Sequence, residues 1–179
     1  MQLGEIQERL REARRMPAAR AGHRRLGDVS EPMRVALGAD HGGYALKEAL
    51  KGLLVELAVR VDDVGTHGSE PVDYPDLAVA VAQRVASGAA RFGIVIDAAG
   101  LGSCMAANKV AGVRAATCHD EASARNSREH NNANVLVLGS RVVQRGAARR
   151  LVRVWLQTPF AGGRHARRVD KIDALDAAD

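Results

Sequence analysis

Aromatic side chains are scarce in this chain: one Trp, two Tyr and two Phe make up 3% of its 179 residues. Proteins that hold nucleic acid usually add aromatic stacking platforms to a basic surface. The formal charge of +5, from 26 Lys and Arg against 21 Asp and Glu, therefore points to a small anionic ligand, and no nucleic-acid partner is expected. Cysteine is limited to Cys104 and Cys118, with no CxxC or HxxxH spacing. That excludes a disulfide framework and a structural zinc site, and it fits a reducing, cytoplasmic setting. No apolar run approaches the roughly 20 residues that span a bilayer. The apolar core of a secretory signal is also missing, and Glu5, Glu8 and Glu12 oppose a mitochondrial presequence.

What is present reads as one globular domain behind an extension. Hydrophobic residues are 46% and charged residues 26% of the chain, ordinary values for a folded protein large enough to bury one core. Met1 to Met16 has Leu3, Ile6, Leu10 and Ala13 at helical spacing and charges on the other faces, which predicts an amphipathic helix ended by Pro17. Ala18 to Pro32 carries Arg20, His23, Arg24 and Arg25 without periodicity and reads as a linker. The division expected is an extension over 1–32 and a domain over 33–179.

Within the domain, apolar runs alternate with helical patterns. Strands are expected over Arg34–Ala39, Val59–Val64, Phe92–Ile96, Val113–Cys118 and Val135–Leu138. Helices are expected over Tyr44–Leu57, Leu77–Ala86, Glu121–Glu129 and Ala147–Leu156, with an Ala-rich helix after the Gly-rich turn at Gly100. Such alternation predicts a single doubly wound, Rossmann-like α/β fold: a five-stranded parallel sheet with helices on both faces and its ligand at the C-terminal strand ends.

Polar clusters flank these strands: Asp40-His41, Asp97, His119-Asp120 and His130-Asn131-Asn132. They are expected to converge at that C-terminal edge, although an isolated Asp-His pair is more often a cap or turn. Gly100 and Gly102 suggest a dinucleotide fingerprint, but Met105 stands where the third glycine belongs. The turn through Gly100, Gly102 and Ser103 is expected instead to offer N–H groups to a phosphate or enediolate oxygen. Arg164 and Arg168, four residues apart, would share a helix face and provide two forks for a phosphate.

Five segments together resemble the family of B-type ribose-5-phosphate isomerases and galactose-6-phosphate isomerase subunits: ADHGG at 39–43, VDYPD at 72–76, GLGSCMAANKVAGVRA at 100–115, REHNNANVLVLGSRVV at 128–143 and GGRHARRV at 162–169. The resemblance implies aldose–ketose isomerisation of a phosphosugar, most directly ribose 5-phosphate to ribulose 5-phosphate, through a cis-enediolate and with neither metal nor organic cofactor. It implies that Asp40 and Tyr74 meet the sugar, His41 a hydroxyl or the phosphate, and His130, with Asn131 beside it, assists ring opening. Arg164 and Arg168 would hold the phosphate. It also implies a homo-oligomer, dimer or tetramer, with sites drawing on two subunits.

Asp97 departs from the pattern. Many relatives have a cysteine base there, followed by Gly-Thr-Gly; here the segment is Asp97-Ala98-Ala99-Gly100, and another branch uses a glutamate where this chain has Ser103. A free Asp, with a pKa of about 3.9 against about 8.5 for Cys, is ionised but weakly basic. Asp97 is expected to be the base, the alternative being a hydroxyl-binding role with altered or lost catalysis. Isomerisation of a tetrose or hexose phosphate, or a non-catalytic phosphosugar-binding scaffold, are the other readings. The extension resembles the encapsulation peptides of bacterial microcompartments, which implies a shell-protein partner for residues 1–18.

Overall fold

The structure is a computed structural model that describes residues 32–177. The expected helix over Met1–Met16 and nearly all of the linker lie outside the described residues. The order is β1 (Arg34–Ala39), α1 (Tyr44–Glu56), β2 (Arg60–Gly65), α2 (Tyr74–Ala86), β3 (Phe92–Asp97), α3 (Gly102–Ala107), β4 (Ala115–Thr117), α4 (Glu121–Glu129), β5 (Val135–Gly139), α5 (Arg145–Gln157), a 3-10 turn at Gly163–His165 and α6 (Ala166–Asp173). The five strands lie in the order β2-β1-β3-β5-β4, and every pairing is parallel.

Side-chain alternation along the strands builds two cores. Val35 and Leu37 of β1, Ile94 and Ile96 of β3, and Leu136 and Leu138 of β5 pack with Leu50 and Leu53 of α1 and Leu151 and Trp155 of α5. The intervening Ala36, Val95, Val135 and Val137 pack with Ala78, Val81 and Ala82 of α2. Successive side chains point to opposite faces of a strand, so α1 and α2 cover opposite faces of the sheet. The strand order turns around at β1 and β3, which opens a crevice beyond their C-terminal ends.

Several boundaries differ from the sequence reading for local reasons. α2 begins at Tyr74 rather than Leu77, because Pro75 occupies its first turn, where a missing N–H costs nothing. The Ala-rich helix stops after Ala107. Its C-cap, Asn108, donates from Nδ2 to the Ala115 carbonyl at 3.0 Å and accepts the Ala115 N–H at 2.8 Å. That side chain occupies backbone groups of β4, which is reduced to Ala115–Thr117.

Candidate active site

The crevice is assembled from three strand ends. Asp97 closes β3 with its side chain only 5% exposed. Its Oδ1 accepts the N–H of Gly100, and its Oδ2 accepts the N–H of Ser103 at 3.1 Å. Gly100 has φ +76°, and a Cβ there would lie 2.8 Å from the Gly139 amide, so the turn needs glycine to fold back over its own strand. Two donors expected to face a substrate oxygen therefore face a carboxylate of the same turn. Ser103 is fully buried, and its Oγ has no hydrogen-bond partner among the described residues.

Around Asp97 stand the residues after β1 and before α2. Asp40 is buried, and its Oδ1 caps the turn into α1 by accepting the Gly43 N–H at 2.8 Å. His41 is exposed, and its Nδ1 accepts the Val72 N–H at 3.3 Å. A neutral ring held in this way carries its proton on Nε2, so it presents a donor outward. Tyr74 lies over the turn: a Cβ on Gly102 would come within 2.5 Å of its ring.

Ser140, not singled out by the sequence reading, ties these pieces together. Its N–H donates to the Asp97 carbonyl at 2.8 Å and its Oγ to the Gly42 carbonyl at 2.7 Å. The available signal was its place immediately after β5, at the ligand end of a parallel sheet. The pair His119-Asp120 takes the capping role: Asp120 accepts the Ser123 N–H at 2.7 Å and starts α4 with a capping box.

His130 and Asn131 are not in this crevice. They follow α4, which runs back from the C-terminal end of β4, and the residues after them join the starts of strands: Asn134 bonds through its N–H to Arg114 before β4 and through its carbonyl to Gly93 at the start of β3. The expectation that all polar clusters share one edge fails here, because a helix after a parallel strand delivers its C-terminus to the opposite edge.

Arg164 and Arg168, expected to hold a phosphate, lie with this second group. The Ala161 N–H donates to the Glu129 carbonyl at 3.0 Å, bringing the 3-10 turn and α6 beside His130. The His130 and His165 rings stack at 4.1 Å with an interplanar angle of 4°, and Nδ1 of His130 is 2.8 Å from Nδ2 of Asn126. Burial, followed by His130, Arg164 and Arg168, keeps His165 below the ordinary histidine pKa. Arg164 and Arg168 are exposed around it, as is Asn131. One chain thus carries two polar clusters at opposite edges of the sheet, one rich in carboxylates and one cationic. Among the described residues, no group of three His, Cys, Asp or Glu is arranged to hold a metal ion.

The sequence pattern of the Ribose/Galactose Isomerase family matches residues 35–172. The chain belongs to that family. Its isomerase domain is 46% identical to ribose-5-phosphate isomerase B of Escherichia coli over 143 residues, 80% of this chain and 96% of that protein. It is 39% identical to the D-erythrulose-4-phosphate isomerase of Pectobacterium atrosepticum over 140 residues, 77% of this chain and 91% of that one. The solved ribose-5-phosphate isomerase B of Clostridium thermocellum superposes with a TM-score of 0.80 at 50% identity, covering 82% of this chain and 99% of its own.

Proposed function

We propose that this isomerase interconverts the aldose and ketose forms of ribose 5-phosphate and ribulose 5-phosphate, with Asp97 as the base at carbon. The observation that carries the reading is the separation of two complementary halves: Asp40, His41, Tyr74 and Asp97 at one edge, and His130, Asn131, His165, Arg164 and Arg168 at the other. A phosphosugar needs a base beside its carbonyl and cations around its phosphate. Two copies in a homodimer bring one half to the other, each copy completing its partner's site. Leu101, Met105 and Val142, all more than half exposed beside the Asp97 turn, supply apolar surface for that contact.

In this site Arg164 and Arg168 hold the phosphate, and His130 passes a proton to the ring oxygen as the sugar opens. Asp97 then removes the proton from the carbon next to the carbonyl. The C–H electron pair moves into the carbon framework as the carbonyl oxygen becomes an enediolate oxygen, which the Nε2–H of His41 is oriented to meet. Return of the proton to the neighbouring carbon, with the hydroxyl proton on the second carbon passing to the oxygen of the first as the new carbonyl forms, completes the isomerisation, so no other reactant is consumed. The carboxylate has a lone pair beyond each of its two N–H contacts for this transfer.

A second reading of Asp97 is favoured by those same contacts: the carboxylate holds the turn in shape and the carbon base lies elsewhere. The relative named for D-erythrulose 4-phosphate makes a tetrose phosphate the second substrate to test. A panel of four-, five- and six-carbon phosphosugars in deuterated water separates the choices, since an isomerase exchanges the substrate C–H and a mere binder does not. We further propose that residues 1–18 dock on a shell protein and place the otherwise cytoplasmic enzyme inside a microcompartment. Their deletion should preserve turnover and abolish co-sedimentation with shell protein; retained co-sedimentation contradicts that role.

A further inference from the structure

Arg128, in the last turn of α4, is only 5% exposed. A charge taken out of water needs compensation, yet among the described residues no carboxylate pairs with this guanidinium. It lies instead over two rings, 4.6 Å from the centroid of Phe92 and 5.4 Å from that of Trp155. Burial, and then Arg91 and Arg114, lower its pKa to about 10, which leaves it charged at neutral pH.

Its hydrogen bonds all point one way along the chain. Nη1 donates to the Ala133 carbonyl and to Oδ1 of Asn132 at 3.1 Å. Asn132 has φ +48°, a conformation unfavourable for most side chains but tolerated by Asn. It is also tied through its N–H to the Arg128 carbonyl at 3.1 Å and through its own carbonyl to Nε of Arg114 at 3.1 Å. The left-handed turn at Asn132 is what ends the α4 direction and leaves His130 and Asn131 at its crest. A hydrophobic side chain would cover the Phe92 and Trp155 rings, which themselves meet edge to face, without desolvating a charge, so the guanidinium is needed for the bonds it makes.

We infer that Arg128 is a positioning residue, which holds the Asn132–Ala133 turn so that His130 and Asn131 are presented beside His165. Arg128 touches no substrate and acts through His130. The inference rests on the proposed use of His130 in the cationic half of the site, and it gives a role to a residue that the motif at 128–143 contains but to which the sequence reading assigned none.

The test uses the full chain in three variants: Arg128→Met keeps apolar length over the rings without donors, Arg128→Lys keeps the charge without the planar fork, and Asn132→Gly keeps access to positive φ while removing the Oδ1 acceptor. Proton NMR of the histidine Cε1–H signals reads the stacked pair directly, because parallel rings shield one another. In Arg128→Met the His130 and His165 signals should move downfield toward those of free histidine. The kcat/KM for ribose 5-phosphate should fall about 10- to 100-fold, as expected for a misplaced group. Arg128→Lys should recover part of both. Should Arg128→Met not fold, Asn132→Gly decides, with a smaller shift in the same direction. Signals that stay shielded in folded Arg128→Met, or in Asn132→Gly, overturn the inference. If wild-type protein turns over no phosphosugar, the proposed substrate fails, while the ring signals still decide the role of Arg128.

Discussion

The Ser103 N–H donates to the Asp97 carboxylate at 3.1 Å, and this contact, with that of Gly100, makes the strand-end turn a holder of its own carboxylate. A turn of this kind was expected to cradle a substrate anion. Its two inward donors are instead satisfied within the chain, and the proposed function therefore assigns the phosphate to Arg164 and Arg168 of a second copy. The turn presents a fixed carboxylate at the end of β3.

That division can be tested by complementation. Asp97→Asn disables one half-site and the double change Arg164→Ala with Arg168→Ala disables the other, so each variant should be inactive alone. Mixed and reassociated, half of the dimers are hybrids with one intact site of two, which restores about a quarter of wild-type activity for a two-fold dimer. No recovery, measured on hybrids verified by mass spectrometry, would show that each site is built within one chain.

Ser140 joins β5 to the Gly42 carbonyl and the Asp97 carbonyl at once. Ser140→Ala removes only the hydroxyl bond, which should lower unfolding stability by about 1 kcal/mol. Because the bond aligns the loop of Asp40 and His41 with the Asp97 turn, kcat should fall by more than the small change in folded fraction explains. Urea unfolding and steady-state kinetics on the same preparation provide the two numbers.

Gly102→Ala would drive a methyl group into the Tyr74 ring at 2.5 Å. The ring is 41% exposed and can swing outward, so stability should change by less than about 1 kcal/mol while KM for the phosphosugar rises. An unchanged KM would remove Tyr74 from the sugar site.

Support for the crevice extends to a buried ion pair. Lys47 is fully buried, with Nζ 2.6 and 2.8 Å from the two oxygens of Asp63, and Lys51 reaches the same carboxylate at 2.5 Å. Burial alone would raise the Asp63 carboxyl, but hydrogen bonds from Lys47, Lys51 and the Gly65 N–H outweigh it and hold its pKa below the ordinary value. Asp63→Asn leaves the buried ammonium with Glu48 at 3.3 Å as its remaining carboxylate and should cost about 3 kcal/mol, whereas Lys47→Met, which leaves Asp63 with Lys51, should cost less. A depressed carboxyl pKa stabilises the fold above the unfolded value and loses that effect as pH falls through the folded one. The stability gap between wild type and Asp63→Asn should therefore be full at neutral pH and narrow below about pH 4.

The strands of the sheet were readable because β1, β3 and β5 are short apolar runs that end at Asp40, Asp97 and Gly139-Ser140. The candidate residues at both edges lie in the quoted motifs, except Asp97, which departs from the pattern. Their division was not obvious, since it follows from chain direction: Asp97 ends a strand, whereas His130 precedes one. Contacts between distant segments were invisible for another reason. Ser140 meets Gly42 across 98 residues, and the seat of Arg128 over Phe92 and Trp155 exists only once β3, α4 and α5 have packed. The early start of α2 came from Pro75, which breaks a helix interior but suits its first turn.

The role of Asp97 is measured most directly by following deuterium incorporation into ribose 5-phosphate in deuterated water for wild type and for Asp97→Asn, which keeps the side-chain shape and removes the basic oxygen. If Asp97 is the base, wild type labels the carbon beside the carbonyl as it forms ribulose 5-phosphate, and Asp97→Asn remains folded but loses exchange and isomerisation together. Exchange at an undiminished rate in Asp97→Asn would contradict the assignment and leave Asp97 as the residue that holds the turn.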